Sequence, residues 1–226
     1  MRSVRRSSGR GAAGPDRATL RRGAAIFLAG IGEPELAADR RRTPARVADA
    51  WSREILGGYR EDPARILATG IPGHETGMVV VRDIPFVSVC VHHLLPFRGT
   101  AQVAYLPDRR LVGLSKISRA VDALARRLQL QERLTRQIVQ AIERALRPRG
   151  VACRMEAEHL CMTIRGARQR GSRVVTFAAA GAFLRSAALR SEFLRLGGDG
   201  TPIAAGRRPG GGRRRVVRRP GRREAS

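Results

Sequence analysis

The chain has 226 residues and carries 44 Lys and Arg against 19 Asp and Glu, a formal charge of +25. That length suits one domain with a sizeable core plus tails, and a 42% hydrophobic content excludes wholesale disorder. No apolar run approaches the roughly 20 residues that span a bilayer, and three cysteines are too few for a disulfide framework, so a reducing, cytoplasmic setting is expected.

Much of the charge sits at the ends. Residues 1–22 hold seven Arg and one Asp, and residues 197–226 hold nine Arg and two acids. Both stretches are poor in apolar residues and rich in Gly, Ser or Pro, so they are expected as disordered tails around an ordered unit, 23–196. Neither has an aromatic residue on which a base would stack, so nucleic-acid contact by the tails is not favoured. The start lacks the apolar stretch and cleavage site of an export signal. Lysine occurs once, at Lys116, in a chain whose other strong cations are all Arg.

In chain order, Asp16 to Ala29 predicts a helix that ends near Gly30 and Gly32. Thr43-Pro44 reads as an N-cap with proline at the first helical position, opening a helix to about Leu56 that Gly57-Gly58 stops. These are the N-terminal helices of segment 23–70. In segment 71–196, Met78 to Val81, Phe86 to Cys90 and Thr100 to Tyr105 read as strands. Ser115 to Leu128 and Leu130 to Leu146 are amphipathic helices, the second stopped by Pro148 and Gly150. Val151 to Ile164 and Ser172 to Ala178 read as strands, and Ala187 to Leu196 as a final helix. Strands flanking two adjacent helices predict an α+β fold: an antiparallel sheet with the helix pair on one face.

The chemistry concentrates in Cys90-Val91-His92-His93 and His159-Leu160-Cys161. If 159–161 is extended, His159 and Cys161 share a face. Cys90 and His93 are close enough to chelate one ion after a turn. Thiolate and imidazole ligands suit zinc, and three of them leave a fourth position open, as in a catalytic site. His92 and His159 would then carry protons beside the metal. The plainer alternative makes Cys90 and Cys161 core residues, the role assigned to Cys153, which has no histidine nearby. Lys116 and Arg119 share a face at a helix start, where the free amides also favour an anion. Arg165 brings a further cation near Cys161. A solvated positive helix end is the alternative there.

Cys-x-His-His-Leu-Leu-Pro-Phe at 90–97, Gly-Leu-Ser-Lys at 113–116 and Gln-Glu-Arg-Leu-Thr at 131–135 resemble GTP cyclohydrolase I. So do Glu-His-Leu-Cys-Met at 158–162, Arg-Gly at 165–166, Gly-Ser-Arg at 171–173, Thr43-Pro44-x-Arg46-Val47 and Ser191-Glu192-Phe193-Leu194. The resemblance covers roughly residues 20–196. It implies one Zn2+ per subunit on Cys90, His93 and Cys161, with His92, His159 and Ser115 at catalytic positions. Gln131 and Glu132 match the guanine-binding positions; Ser115, Lys116, Arg119 and Arg165 match contacts to the triphosphate and ribose. The implied reaction opens the guanine imidazole ring of GTP, releases formate and recloses the rearranged ribose as dihydroneopterin triphosphate, the first step of tetrahydrofolate biosynthesis. The implied architecture is the tunnelling fold, a barrel-forming homo-oligomer of two stacked pentamers with active sites at subunit contacts.

Three positions depart from the family pattern: Val91 replaces a usual Glu, Phe177 a small polar residue and Asp49 a frequent cation. They leave room for a specialised paralogue that supplies deazapurine or another pterin-derived product. Two relatives of the same fold compete, a nitrile reductase of the queuosine pathway and carboxytetrahydropterin synthase. The first needs a nucleophilic Cys without zinc and the second three histidines, so the Cys/His/Cys set argues against both. A degenerate core carrying nucleic-acid-binding basic tails is the non-enzymatic rival.

Overall fold

A computed structural model describes residues 14–32, 37–68, 70–73 and 75–198. Helix α1 (Arg17–Ile31) starts where the Asp16 carboxylate accepts from the amides of Ala18 and Thr19, and it ends on Gly32 at φ 77°. The last six residues of the segment expected as an N-terminal tail are therefore helical. Helix α2 (Ala37–Asp49) corrects the Thr43-Pro44 cap, because Pro44 lies inside it. The Ala- and Arg-rich stretch before Thr43 has high helix propensity, and proline removes one backbone bond without ending the helix there. The helix passes into a π-type segment (Ala50–Ile55), and Gly57-Gly58 continue as a 3-10 turn (Gly57–Arg60). A short helix, α3 (Pro63–Leu67), follows, capped by Asp62.

Strand β1 (Ile71–Pro72) pairs with β4 (Arg110–Leu111) in a small ribbon. The main sheet holds β2 (Val79–Cys90), β3 (Pro96–Leu106), β5 (Leu128–Gln129), β6 (Gly150–His159) and β7 (Val174–Gly181) in the order β5-β2-β3-β6-β7. Its pairings are antiparallel except β2 with β5. The two strands expected over 78–90 are one. Its register shifts between Val81 and Ile84, where Asp83 has φ 56°, so a bulge rather than a loop interrupts the pattern. Gly99 permits the close β3–β6 approach, since a side chain there would meet the backbone of Glu156 and Ala157.

Helices α4 (Leu114–Ala125) and α5 (Gln131–Leu146) lie on one face of the sheet, as the amphipathic patterns predict. Alternation along β3 and β6 sends Ala101, Val103, Tyr105, Cys153 and Met155 into the core beneath them. Ala104, Leu106 and Ala152 go to the opposite face, where they meet Phe183 of α7 (Ala182–Arg185) and Phe193 of α8 (Ala187–Gly197). Burial on both faces explains why the second half of β3, Ala101–Leu106, is apolar without a polar alternate (Gln102 excepted).

Two boundaries differ from the sequence reading for tertiary reasons. The first amphipathic helix stops at Ala125 instead of Leu128, because Arg127 reaches back to the carbonyls of Gly58 and Glu61 and Leu128 joins β2. The strand expected to reach Ile164 stops at His159, and the chain coils into α6 (Leu160–Thr163). Among the described residues, no helix is long and apolar enough to cross a membrane.

Candidate metal centre and its surroundings

The β2–β3 hairpin sets the first half of the site. Cys90 ends β2, and its amide donates to the Leu95 carbonyl at 2.9 Å while the Leu94 amide donates to the Cys90 carbonyl at 2.9 Å. That tight turn lifts His92 and His93 out of the sheet, at the cost of a left-handed Leu94 with φ 54°. The second half is the end of β6. There α6 turns Cys161 back toward the hairpin, correcting the extended 159–161 geometry. A side chain two residues on along a continuing strand would share the face of His159, whereas the helical turn redirects it.

The result is one cluster. Cys90, His93 and Cys161 each offer a ligand atom, and those atoms all lie within 4.8 Å of one another. Ligands about 2.0–2.3 Å from one ion in a tetrahedron stand roughly 3.3–3.8 Å apart, so modest closure brings the three into range. The Cys161 thiol is pushed above its ordinary value by burial and by its hydrogen-bonded neighbour Cys90, with Arg165 opposing. Two adjacent thiols resist ionising together; a divalent cation removes that conflict. The donor set is soft to borderline and suits zinc better than calcium or magnesium. Cys153, by contrast, is fully buried in the core, where burial alone holds its thiol far above the ordinary range.

Around the cluster, His92 lies edge-on to His93 with ring centroids 6.2 Å apart. His159 stacks flat on Phe97, centroids 4.5 Å apart, because the two are register partners across β3 and β6. Burial lowers the pKa of His159, and the charge of nearby Glu132 opposes that shift. Gln131 is buried; its Oε1 meets His159 Nε2 at 2.7 Å, and its Nε2 donates to the Met155 and Val174 carbonyls. The positions expected to contact substrate through Gln131 and Glu132 thus differ: Glu132 is exposed, whereas both ends of the Gln131 amide are engaged.

Ser115, Lys116 and Arg119 do not join this cluster within one chain. They occupy the first turns of α4, where Gly113 supplies no side-chain cap and the Val112 amide meets the Tyr105 hydroxyl. The other end of α4 leads toward the metal cluster: the Arg127 carbonyl accepts from Ser88, and Gln129 pairs with Cys90. Ten residues of helix separate Lys116 from Arg126, a rise of about 15 Å.

Two of the three departing positions have plain structural roles. Asp49 holds Arg17 through two bonds of 2.6 and 3.0 Å, clasping α2 to α1. Phe177 packs toward Phe193 of α8, ring centroids 6.3 Å apart. Val91 donates its amide to the Gln129 carbonyl, a bond indifferent to the side chain. Sequence reasoning does not find the role of Phe97 or the orienting contacts of Gln131. Register between β3 and β6 is the signal that would reveal the first.

A profile of the family described as GTP cyclohydrolase I matches residues 21–197. A protein named GTP cyclohydrolase 1 from Chlorobaculum tepidum is 48% identical over 174 residues, covering 76% of this chain and 77% of that protein. One of the same name from Dehalococcoides mccartyi is 43% identical over 183 residues, covering 80% of this chain and 96% of the relative. Another, from Brucella suis, is 49% identical over 157 residues, covering 68% and 73%.

Proposed function

This chain belongs to the GTP cyclohydrolase I family and is an enzyme of that kind, and from that premise we propose a zinc-dependent conversion of GTP to dihydroneopterin triphosphate and formate, serving tetrahydrofolate biosynthesis. The observation that carries the reading is the meeting of Cys90, His93 and Cys161 within 4.8 Å, beside His92 and His159. A zinc ion held by those three side chains supplies Lewis-acid activation of water.

The chain's own residues do the rest. The exposed Glu132 carboxylate accepts from the ring N–H and amino group on the guanine edge, a pair of donors adenine lacks. His92 and His159 take and return protons while the imidazole ring opens, formate leaves and the ribose rearranges and recloses. Arg165 adds positive charge beside Cys161.

Lys116, Arg119 and Ser115 supply the triphosphate contacts from the opposite end of α4. Their distance from the cluster supports a site completed by a second copy, with Lys116 from one subunit and Cys161 from another. A homo-oligomer of barrel-forming pentamers, stacked as a decamer, accommodates that arrangement. Residues 23–196 form the catalytic unit in this reading.

The test is direct. Purified full-length protein incubated with GTP should release one formate per GTP consumed and yield a pterin that fluoresces after oxidation. GTP consumption without formate would overturn the reading.

A further inference from the structure

Gln131 stands at the start of α5 with 1% of its surface exposed, and its bonds leave one consistent arrangement. Its Nε2 lies 2.9 Å from the Val174 carbonyl and 3.2 Å from the Met155 carbonyl. Carbonyl oxygens only accept, so this end of the amide must be the NH2 group. The other end is then the oxygen, at 2.7 Å from His159 Nε2. An amide oxygen also only accepts, so the proton between them belongs to His159 Nε2.

The amide is itself braced. Thr176 Oγ1 lies 3.1 Å from Gln131 Nε2 and 2.6 Å from Thr135 Oγ1, and Thr135 donates to the Gln131 carbonyl at 2.7 Å. Phe97 fixes the plane of the imidazole from one side, its ring 7° from parallel. One contact sets the tilt of the ring and the other its rotation in plane.

We propose that Gln131 is a positioning residue that locks His159 in the Nε2–H tautomer, leaving Nδ1 as the ring's one free lone pair, and that the Gln131 side chain does not contact substrate. The proposal rests on the reading that His159 carries a proton in the reaction. It adds which nitrogen does so: Nδ1 accepts, while Nε2–H stays bonded to the amide oxygen throughout. Both ends of the buried side-chain amide are already engaged, so a substrate contact through it would compete with the bonds to His159, Met155 and Val174.

The test is magic-angle-spinning NMR of sedimented, zinc-loaded full-length protein labelled with 15N-histidine, the His159 signals being those absent in His159→Asn. The expected result is a neutral His159 with Nε2 protonated and Nδ1 bare. A protonated Nδ1, or an even mixture of tautomers, would overturn the proposal. This spectrum needs no turnover, so missing cyclohydrolase activity in the wild type would count against the function and leave the tautomer to be read independently. In Gln131→Met, similar in volume but unable to hold the ring, the tautomer ratio should shift and kcat should fall about 10- to 100-fold. KM for GTP should stay within about threefold, because uniform substrate binding is untouched. A tenfold rise in KM at unchanged kcat would instead make Gln131 a substrate contact. Should Gln131→Met not fold, the wild-type spectrum still decides.

Discussion

The imidazole of His159 lies flat against the ring of Phe97, centroids 4.5 Å apart and planes 7° from parallel. Phe97 is fully buried and forms an edge contact with Phe86 at 6.0 Å, so a core ring carries the orientation of a candidate site residue. Packing and chemistry meet there.

Replacing Phe97 with Leu removes buried volume and should cost about 1–3 kcal/mol while leaving the fold in place. It removes the flat surface on which His159 rests. Zinc content should be unchanged while turnover of GTP falls at least about tenfold, measured as formate release per subunit. Unchanged turnover would mean the stack is packing alone.

Cys153 gives a pH prediction with a definite sign. Burial raises its thiol above the ordinary value of 9.0, so above that pH the unfolded chain loses a proton that the folded chain keeps. The stability it confers is complete below pH 9.0 and declines as pH rises, by about 1.4 kcal/mol per pH unit at the limiting slope. One Lys, two Tyr and the other two Cys are common to the wild type and Cys153→Ala, so their contributions cancel in the comparison. Urea unfolding at several values between about pH 8 and pH 10.5 should show a shallower decline in Cys153→Ala than in the wild type. Equal slopes would place the thiol in contact with water.

Lys116→Gln should weaken GTP binding about tenfold or more, the usual worth of a charge-assisted bond, and affect guanosine less. Lys116→Arg should also be impaired, because the wide planar fork replaces a compact ammonium. Isothermal titration with the two ligands separates these outcomes from a surface lysine, which would show no dependence on phosphate.

The separation of Lys116 from Cys161 allows a mixing test of the proposal that the site is shared between subunits. At GTP concentrations well below saturation, Lys116→Gln and Cys161→Ala are each expected to be strongly impaired alone. If one copy supplies Lys116 and another Cys161, co-expression should recover about a quarter of wild-type activity through random assembly. Activity no higher than that of the single variants would put both residues of each site on one chain.

Much of this was legible in the sequence because periodicity and residue chemistry carried it. The faces of α4 and α5 and the antiparallel sheet follow from local pattern, and shared residue chemistry marks Cys90, His93 and Cys161 as candidate partners. What escaped depends on contacts between distant segments. Leu128 fits the apolar stripe of α4, yet it joins β2 because the Tyr59 hydroxyl accepts from its amide and Arg127 is tied to Gly58 and Glu61. Cys161 alternates correctly with His159, but the strand ends and a turn of helix aims it at Cys90. Pro44 resembles a helix start, while the residues before it already favour a helix. The orientation of His159 depends on Phe97 and Gln131, 62 and 28 residues away, and no short motif encodes such a pairing.

Metal content per chain, measured together with formate release, tests the central claim most directly. Wild-type protein stripped of metal and reloaded should take up one zinc per chain and regain activity in proportion. Cys90→Ala, His93→Ala and Cys161→Ala should lose both the metal and the activity, because each removes one of three ligands. His92→Ala should keep its zinc while losing about 10²–10⁴-fold in turnover. Cys153→Ala should keep both. Full zinc occupancy in Cys161→Ala, or full turnover in the stripped wild-type protein, would contradict the account.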